Sequence, residues 1–369
     1  MTAKLTTVSA DGYDVTIGNN PWSHLASLLD AVLISGNGIY IIMDDNTHAH
    51  CYPVLLDLCP QVASGRKIII SPGEENKSYN SLSYLTGEMT KMGVDRRSLV
   101  INLGGGVVCD IGGLAASLYK RGIDFINVPT TLLAMVDASI GGKVGINQNN
   151  FKNQVGLFTH PKAVLVSPQF LKSLDNEVLV EGLVEACKHG LVYDQKYWNE
   201  LTKQFPGSLS TESPYLEKVI VKSVQIKNEV VAKDFKEGGA RKILNFGHTL
   251  GHALEKLALD NDNVPISHGH AIAIGIVGEA YLSNLKAGLS DKSLSEIADF
   301  IIPLFKPYLI SKKAKDHLYA CILQDKKTMG GKINFTLLSS IGSAKINQDV
   351  TKNEIMDAVA YYQKQINKQ

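Results

Sequence analysis

The sequence has almost no net charge: 37 Lys and Arg stand against 36 Asp and Glu, leaving +1 with histidine neutral. Proteins that coat nucleic acid or an anionic membrane surface need a basic excess, so neither is expected as a partner. Any anion specificity must come from local lysines and arginines. Long apolar runs are also missing. None reaches the ~18 residues that suggest a membrane-spanning helix, and the opening MTAKLTTVSADGYD lacks the apolar core of a signal peptide. The five cysteines (Cys51, Cys59, Cys109, Cys187, Cys321) are odd in number and widely scattered. That argues against a disulfide framework and for reduced thiols in a cytoplasm. No internal repeat or low-complexity segment is present.

What is there suits a globular protein of two domains: 369 residues, 44% hydrophobic and 20% charged. In the first half, the runs GIYIIMDDN, RKIIISPG, SLVINLGGG, DFINVPTT and AVLVSP read as buried strands ending in polar or glycine turns. Helical stretches separate most of them, as in a parallel sheet built from βαβ units. From Asp175 the character changes to long stretches of helical periodicity, such as EVLVEGLVEACKHGLV and GHAIAIGIVGEAYLSNLKAG, with KINFTLLSSIG as a late strand or hairpin. The reading is α/β, with a nucleotide domain over 1–174, a mostly α-helical domain over 175–369, and the active site expected in the cleft between them.

Gly104, Gly105 and Gly106 follow one predicted strand and precede a predicted helix. Glycines there let backbone approach a pyrophosphate at a helix amino terminus. A plain tight turn explains them equally well, because Cys109 occupies the third position of the strict dinucleotide fingerprint. Asp44 and Asn46, and the segment from Pro72 to Lys77, are two further polar strand exits. The segment VPTTLLAMVDASIGGKVGINQNNFKN gathers Thr130, Thr131, Asp137, Lys143, Lys152 and Asn153 among small residues, which suits a phosphorylated ligand or, alternatively, a solvated loop. Arg121 is either a surface charge or a second phosphate ligand.

Downstream, LNFGHTLGH places His248 and His252 four residues apart on one face of a predicted helix, with His268 beyond and Glu185 in GLVEACKHG. Imidazoles and a carboxylate suit a borderline divalent cation such as zinc. A lone histidine on an apolar helix face is more often a satisfied core residue, but Glu237, Arg241 and Asn245 precede His248 at helical steps. They form a polar face that could hold a carboxylate or several hydroxyls. Lys188 stands one turn from Glu185. No HExxH occurs, which argues against a zincin peptidase.

GGGVVCDIGG, RGIDFINVPTTLLAMVDASIGGKVGIN, FKNQVGLF, EGLVEACKHG, the stretch from Glu237 to His252, and SHGHAIAIG together resemble the 3-dehydroquinate synthase family, in order from Asp44 to Leu338. The resemblance implies a Rossmann-like domain joined to an α-helical one, in a homodimer, with NAD and zinc (or cobalt) as cofactors. Glu185, His248 and His268 would bind the metal, and His252 would contact substrate rather than metal. Asp44, Asn46, Glu74, Lys77, Gly105, Gly106, Asp110, Thr130, Thr131, Leu133, Phe170, Ser173 and Leu174 would contact NAD, with Lys143 and Lys152 nearby. Lys143, Asn153 and the neighbouring subunit's Arg121 would hold a substrate phosphate, and Arg241, Lys227 and Asn245 its carboxylate. Asp137, Lys152, Lys188, Glu237 and His252 would complete a catalytic pocket, with Lys332 closing it. The chain departs from the family where His270 replaces a common glutamate; it could compete for metal or pack beside it.

The implied substrate is a phosphorylated sugar acid, 3-deoxy-D-arabino-heptulosonate 7-phosphate. It is transiently oxidised by NAD, loses phosphate, is re-reduced and closes by an aldol step. Other sugar phosphate cyclases, such as 2-deoxy-scyllo-inosose synthase, and a metal-dependent glycerol or alcohol dehydrogenase are the alternatives.

Overall fold

The computed structural model describes residues 5–149, 151–205, 210–211, 213–325 and 333–368. In chain order these form β1 (Thr6–Ser9), β2 (Asp14–Ile17), α1 (Trp22–Ile34), β3 (Ile39–Asp44), α2 (Asp45–His50), α3 (Tyr52–Leu58), β4 (Arg66–Ile70), α4 (Tyr79–Lys91), β5 (Leu99–Gly104), α5 (Gly106–Leu118), β6 (Asp124–Pro129), β7 (Lys143–Gln148), β8 (Phe151–Phe158) and β9 (Ala163–Val166). There follow α6 (Asn176–Tyr193), α7 (Gln195–Gln204), α8 (Leu216–Lys233), α9 (His248–Asn261), α10 (His268–Lys286), α11 (Asp291–Ile301), α12 (Lys312–Asp325), β10 (Asn334–Ser340), β11 (Ser343–Asp349) and α13 (Lys352–Ile366).

Two compact units result: Met1–Asp175 with Thr211–Phe235, and Asn176–Ser210 with Lys236–Gln369. A single division after residue 174 therefore does not describe the chain, because α8 returns to the first unit. Its apolar stripe, including Val219, Ile220, Val224 and Val231, is buried there, and α8 packs on β1, β2 and the turn of π-helix at Ala134–Ala138. Periodicity reveals that a helix has an apolar face but not which partner covers it.

The first unit holds a seven-stranded sheet in the order β1-β2-β9-β6-β5-β3-β4. All neighbours run parallel except β1 and β2, so the expected parallel sheet gains one antiparallel edge strand. The five apolar runs seen in the sequence become β3, β4, β5, β6 and β9. Every residue of β5 and β9 is buried, as expected for strands covered on both faces. From β3 the chain steps to β4 on one side, whereas β5 pairs on the other. The carboxyl ends of β3 and β5 thus flank a topological switch point, where open α/β sheets bind ligands. α5 lies unusually close to the sheet: a Cβ at Gly112 would come within 2.1 Å of Asn102 Oδ1 on β5. The close helix–strand packing that a third fingerprint glycine supplies elsewhere is met here one turn later, which is why Cys109 is tolerated.

The second unit is built around α10, which is buried almost all round and packs against α6, α9, α11 and α13. The expected late hairpin is β10 with β11. Among the described residues, no helix is long and apolar enough to cross a membrane.

Candidate functional site

In the first unit, the sequence-predicted nucleotide residues gather at the carboxyl ends of the parallel strands. Asp44 ends β3 and caps α2, its Oδ1 accepting the Thr47 N–H at 2.7 Å, and Asn46 is exposed on that helix. Glu74 and Lys77 follow β4, Gly105 and Gly106 follow β5, Thr130, Thr131 and Leu133 follow β6, and Phe170, Ser173 and Leu174 follow β9. Gly105 is the N-cap of α5, and a Cβ on it would come within 3.0 Å of Thr131. Phe170 is buried edge-on against Trp22, with ring centroids 5.7 Å apart, so it works from the core side.

The cations there are already engaged. Buried Lys77 donates to Asp110 and to Asn153 Oδ1, linking the segment after β4 to α5 and β8. Burial pushes the Asp110 carboxyl up, and the Lys77 ammonium pulls against that shift. Lys152 lies 3.6 Å from Glu74, whose Oε1 also accepts from Asn147 at 2.8 Å. Lys227 on α8 reaches both the Asp137 carboxylate (2.6 Å) and its carbonyl (2.7 Å). Asp137 lies in the π-helical turn, a feature frequently found at functional sites. The segment read as an anion-binding loop is therefore largely ordered: the π-turn leads into the β7–β8 hairpin. Lys143 is exposed at the start of that hairpin, and Asn153 has a φ of +53°. Exposed Arg121 (φ +71°) sits in a tight turn before β6.

In the second unit α9 starts at His248, so His248 and His252 do share a helix face. Ligand atoms of His248, His252 and His268 lie within 4.8 Å of one another, and His268 is the first residue of α10. Glu185 joins through His248, with Oε1 3.6 Å from Nε2. Neither Glu185 oxygen receives a hydrogen bond from the described residues, although the buried Lys188 ammonium one turn on pairs with Oε2. The close approach is possible because of Gly269: a Cβ there would lie 2.4 Å from Glu181 Cβ on α6, one turn before Glu185.

Two anchors set the ring tautomers. His248 Nδ1 lies 3.1 Å from the Phe246 carbonyl, and His268 Nδ1 lies 3.1 Å from Glu255 Oε2. Both oxygens accept here, so each Nδ1 carries a proton, and the neutral form of each ring presents its lone pair at Nε2. Burial, then the Lys188 ammonium and the two neighbouring imidazoles, hold His248 well below the usual histidine range, in its neutral ligating form. A hydrogen-bond-poor buried carboxylate beside oriented imidazoles fits a divalent transition metal. His270 does not compete in this arrangement; it stacks on Phe305 at 4.7 Å and 5°.

The expected polar face of Glu237, Arg241 and Asn245 forms differently. Glu237 has left-handed backbone (φ +59°) and residues Ala240–Asn245 make a 3₁₀ helix, so the four- and three-residue steps are not those of one α-helix. Glu237 and Asn245 nonetheless meet, Nδ2 to Oε1 at 2.7 Å, and Arg241 is buried. Lys332 lies outside the described residues. Sequence reasoning missed Glu255. It lies seven residues after His248 and three after His252, on the same helical stripe, and that spacing could have found it.

A topological switch point in one unit and an imidazole–carboxylate cluster in the other define a nucleotide- and metal-dependent enzyme class. Its fold is that of the sugar phosphate cyclases. A 2-epi-5-epi-valiolone synthase from Streptomyces hygroscopicus subsp. jinggangensis 5008, with NAD+ and Zn2+ bound, superposes with a TM-score of 0.83 at 27% identity, covering 98% of this chain and 99% of that one. A 2-deoxy-scyllo-inosose synthase complexed with carbaglucose-6-phosphate, NAD+ and Co2+ gives 0.82 at 24% identity, covering 97% and 99%. Family models described as 3-dehydroquinate synthase N-terminal and C-terminal match residues 67–181 and 182–328. A 3-dehydroquinate synthase of Parabacteroides distasonis is 40% identical over 324 residues, 88% of this chain and 91% of the relative. The chain belongs to the 3-dehydroquinate synthase family.

Proposed function

We propose that the chain converts 3-deoxy-D-arabino-heptulosonate 7-phosphate to 3-dehydroquinate and phosphate, the carbon–oxygen lyase step of its family in the shikimate pathway towards chorismate and aromatic amino acids. The observation that carries this reading is the family match, joined to a cluster in which His248, beside the buried Glu185 carboxylate, and His268 are each anchored at Nδ1.

Glu185, His248 and His268 are the ligands we assign to zinc, with cobalt as a substitute, and His252 is left to meet substrate. The strand exits from Asp44 to Leu174, including Gly105, Gly106, Thr130 and Thr131, are the surface we assign to NAD. Bound there, NAD supplies reversible hydride acceptance and the metal supplies Lewis-acid polarisation of the reacting hydroxyl. The protein's own part is mostly to bind and orient. Lys143, Asn153 and a partner copy's Arg121 are assigned to the phosphate, and Arg241, Lys227 and Asn245 to the carboxylate. Lys227 is paired with Asp137, and Lys77 and Lys152 are paired with Asp110 and Glu74, so these three ammonium groups are charge-compensated. His252 is positioned to carry a proton on its ring nitrogen. We place the enzyme in the cytoplasm as a homodimer; sedimentation of the purified protein checks the dimer, and cell fractionation the location.

The test is catalytic. With NAD and zinc, the purified protein is expected to release inorganic phosphate from the heptulosonate phosphate without net NADH. Steady growth of absorbance at 340 nm with a simple polyol, and no phosphate release, would identify a dehydrogenase instead.

A further inference from the structure

α9 carries two of the clustered histidines, yet it starts without a side-chain cap. Its N-cap position is Gly247, held at φ +81°, and glycine has no side chain to accept the orphan amides of the first turn. Those amides are met from another helix. Glu279 on α10 accepts the Gly247 N–H at Oε2 (2.7 Å) and the Leu250 N–H at Oε1 (3.0 Å), across 32 and 29 residues of chain. Glu279 is fully buried. Its carboxylate sits at the positive end of the α9 dipole, where charge-assisted bonds to N–H groups are strongest.

The two backbones are also in direct contact there. A Cβ at Gly275 would lie 1.9 Å from the Gly247 carbonyl oxygen, and one at Gly278 would lie 2.4 Å from Leu250 Cδ2. Gly275 and Glu279 are one turn apart, so the close contact and the two accepting oxygens lie on one face of α10. Between the two amides that Glu279 holds stand only His248 and Thr249. His248 is thus fixed on one side by its own ring bond to Phe246 and on the other by the carboxylate that holds the amides flanking it.

We propose that Glu279 is a positioning residue of the metal site, holding the first turn of α9 so that His248 meets its partners on α6 and α10. This rests on the reading of Glu185, His248 and His268 as ligands. It assigns a role to a buried acid that the reaction itself does not use. A residue that merely joined two helices would weaken the protein generally. A positioning residue weakens metal binding selectively.

The test uses the full-length protein stripped of metal and titrated with zinc against a chromophoric chelator. Glu279→Gln keeps the volume and one accepting oxygen but loses the charge and the second acceptor. Its zinc dissociation constant is expected to rise about tenfold, as for other groups that orient metal ligands. NAD affinity should stay at the parental value, and turnover should recover when zinc is saturating. Parental zinc affinity in Glu279→Gln would overturn the proposal. So would a loss of zinc affinity, NAD affinity and thermal midpoint in step. Should the glutamine variant fail to fold, Glu279→Asp is titrated in its place, with weaker zinc binding again expected and parental binding overturning the idea. His268→Ala is measured in parallel. If it keeps parental zinc affinity, the ligand reading has failed independently of Glu279.

Discussion

Glu255 Oε2 lies 3.1 Å from His268 Nδ1, and this contact joins the middle of α9 to the first residue of α10. The carboxylate holds the imidazole in one tautomer and makes its Nε2 a better donor to a cation. Glu255→Gln should therefore weaken zinc binding by about 10–100-fold while leaving the fold intact. Chelator competition reads the effect; unchanged affinity would mean that the contact does not orient a ligand.

His268 and His270 lie on the same first turn but face different surroundings. His268→Ala should lose metal and activity together. His270→Ala removes a ring stacked on Phe305 and edge-on to Tyr308, so it should keep its metal and lose about 1 kcal/mol of stability. Elemental analysis of the two purified variants decides, and the opposite pattern would reverse the assignment.

Lys77 couples stability to pH through Asp110. Burial raises the Asp110 carboxyl above its ordinary 3.8, and Lys77 opposes this. The folded state then holds that proton more tightly than the unfolded chain does. Its stabilising contribution is full below 3.8 and is lost as pH rises through the folded value. In Lys77→Met the opposing cation is gone, so the loss should be larger and continue to higher pH. At neutral pH the variant should be about 3–5 kcal/mol less stable, the cost of stranding one member of a buried pair. In acid the gap should shrink. Urea unfolding across this range measures it, and a pH-independent difference would exclude the coupling.

Cys51 tests the reading of the cysteines as packing groups. Burial, then the Asp44 carboxylate, push its thiol up to about 11 despite hydrogen bonds from Ser173 and Thr130. At mildly alkaline pH only about one molecule in a thousand carries the thiolate, the reactive form. All five cysteines are free and buried. The native protein should resist iodoacetamide and become alkylated at all five on denaturation; fast native labelling at Cys51 would contradict its burial.

Some of this architecture could be read directly from the chain. The runs GIYIIMDDN and SLVINLGGG became β3 and β5 because a strand buried on both faces needs continuous apolar sequence. EVLVEGLVEACKHGLV became α6 because its period is that of a helix. Other parts could not. The spacing of Glu237, Arg241 and Asn245 fits an α-helix, yet the backbone there is left-handed and then 3₁₀. The weak alternation of β1 and β2 gave no warning of an antiparallel edge.

The division follows range. Helix and strand periods, the paired histidines of α9 and the absence of charge excess are local properties, and short-range sterics and hydrophobic patterning express them wherever the chain folds. The contacts that orient the site are not local: Glu255 with His268 spans 13 residues, Glu279 with Gly247 spans 32, and Lys77 with Asn153 spans 76. Which acid meets which amide, ring or ammonium depends on how closely the helices approach. That was decided only when glycines such as Gly269 and Gly275 let the backbones pack together.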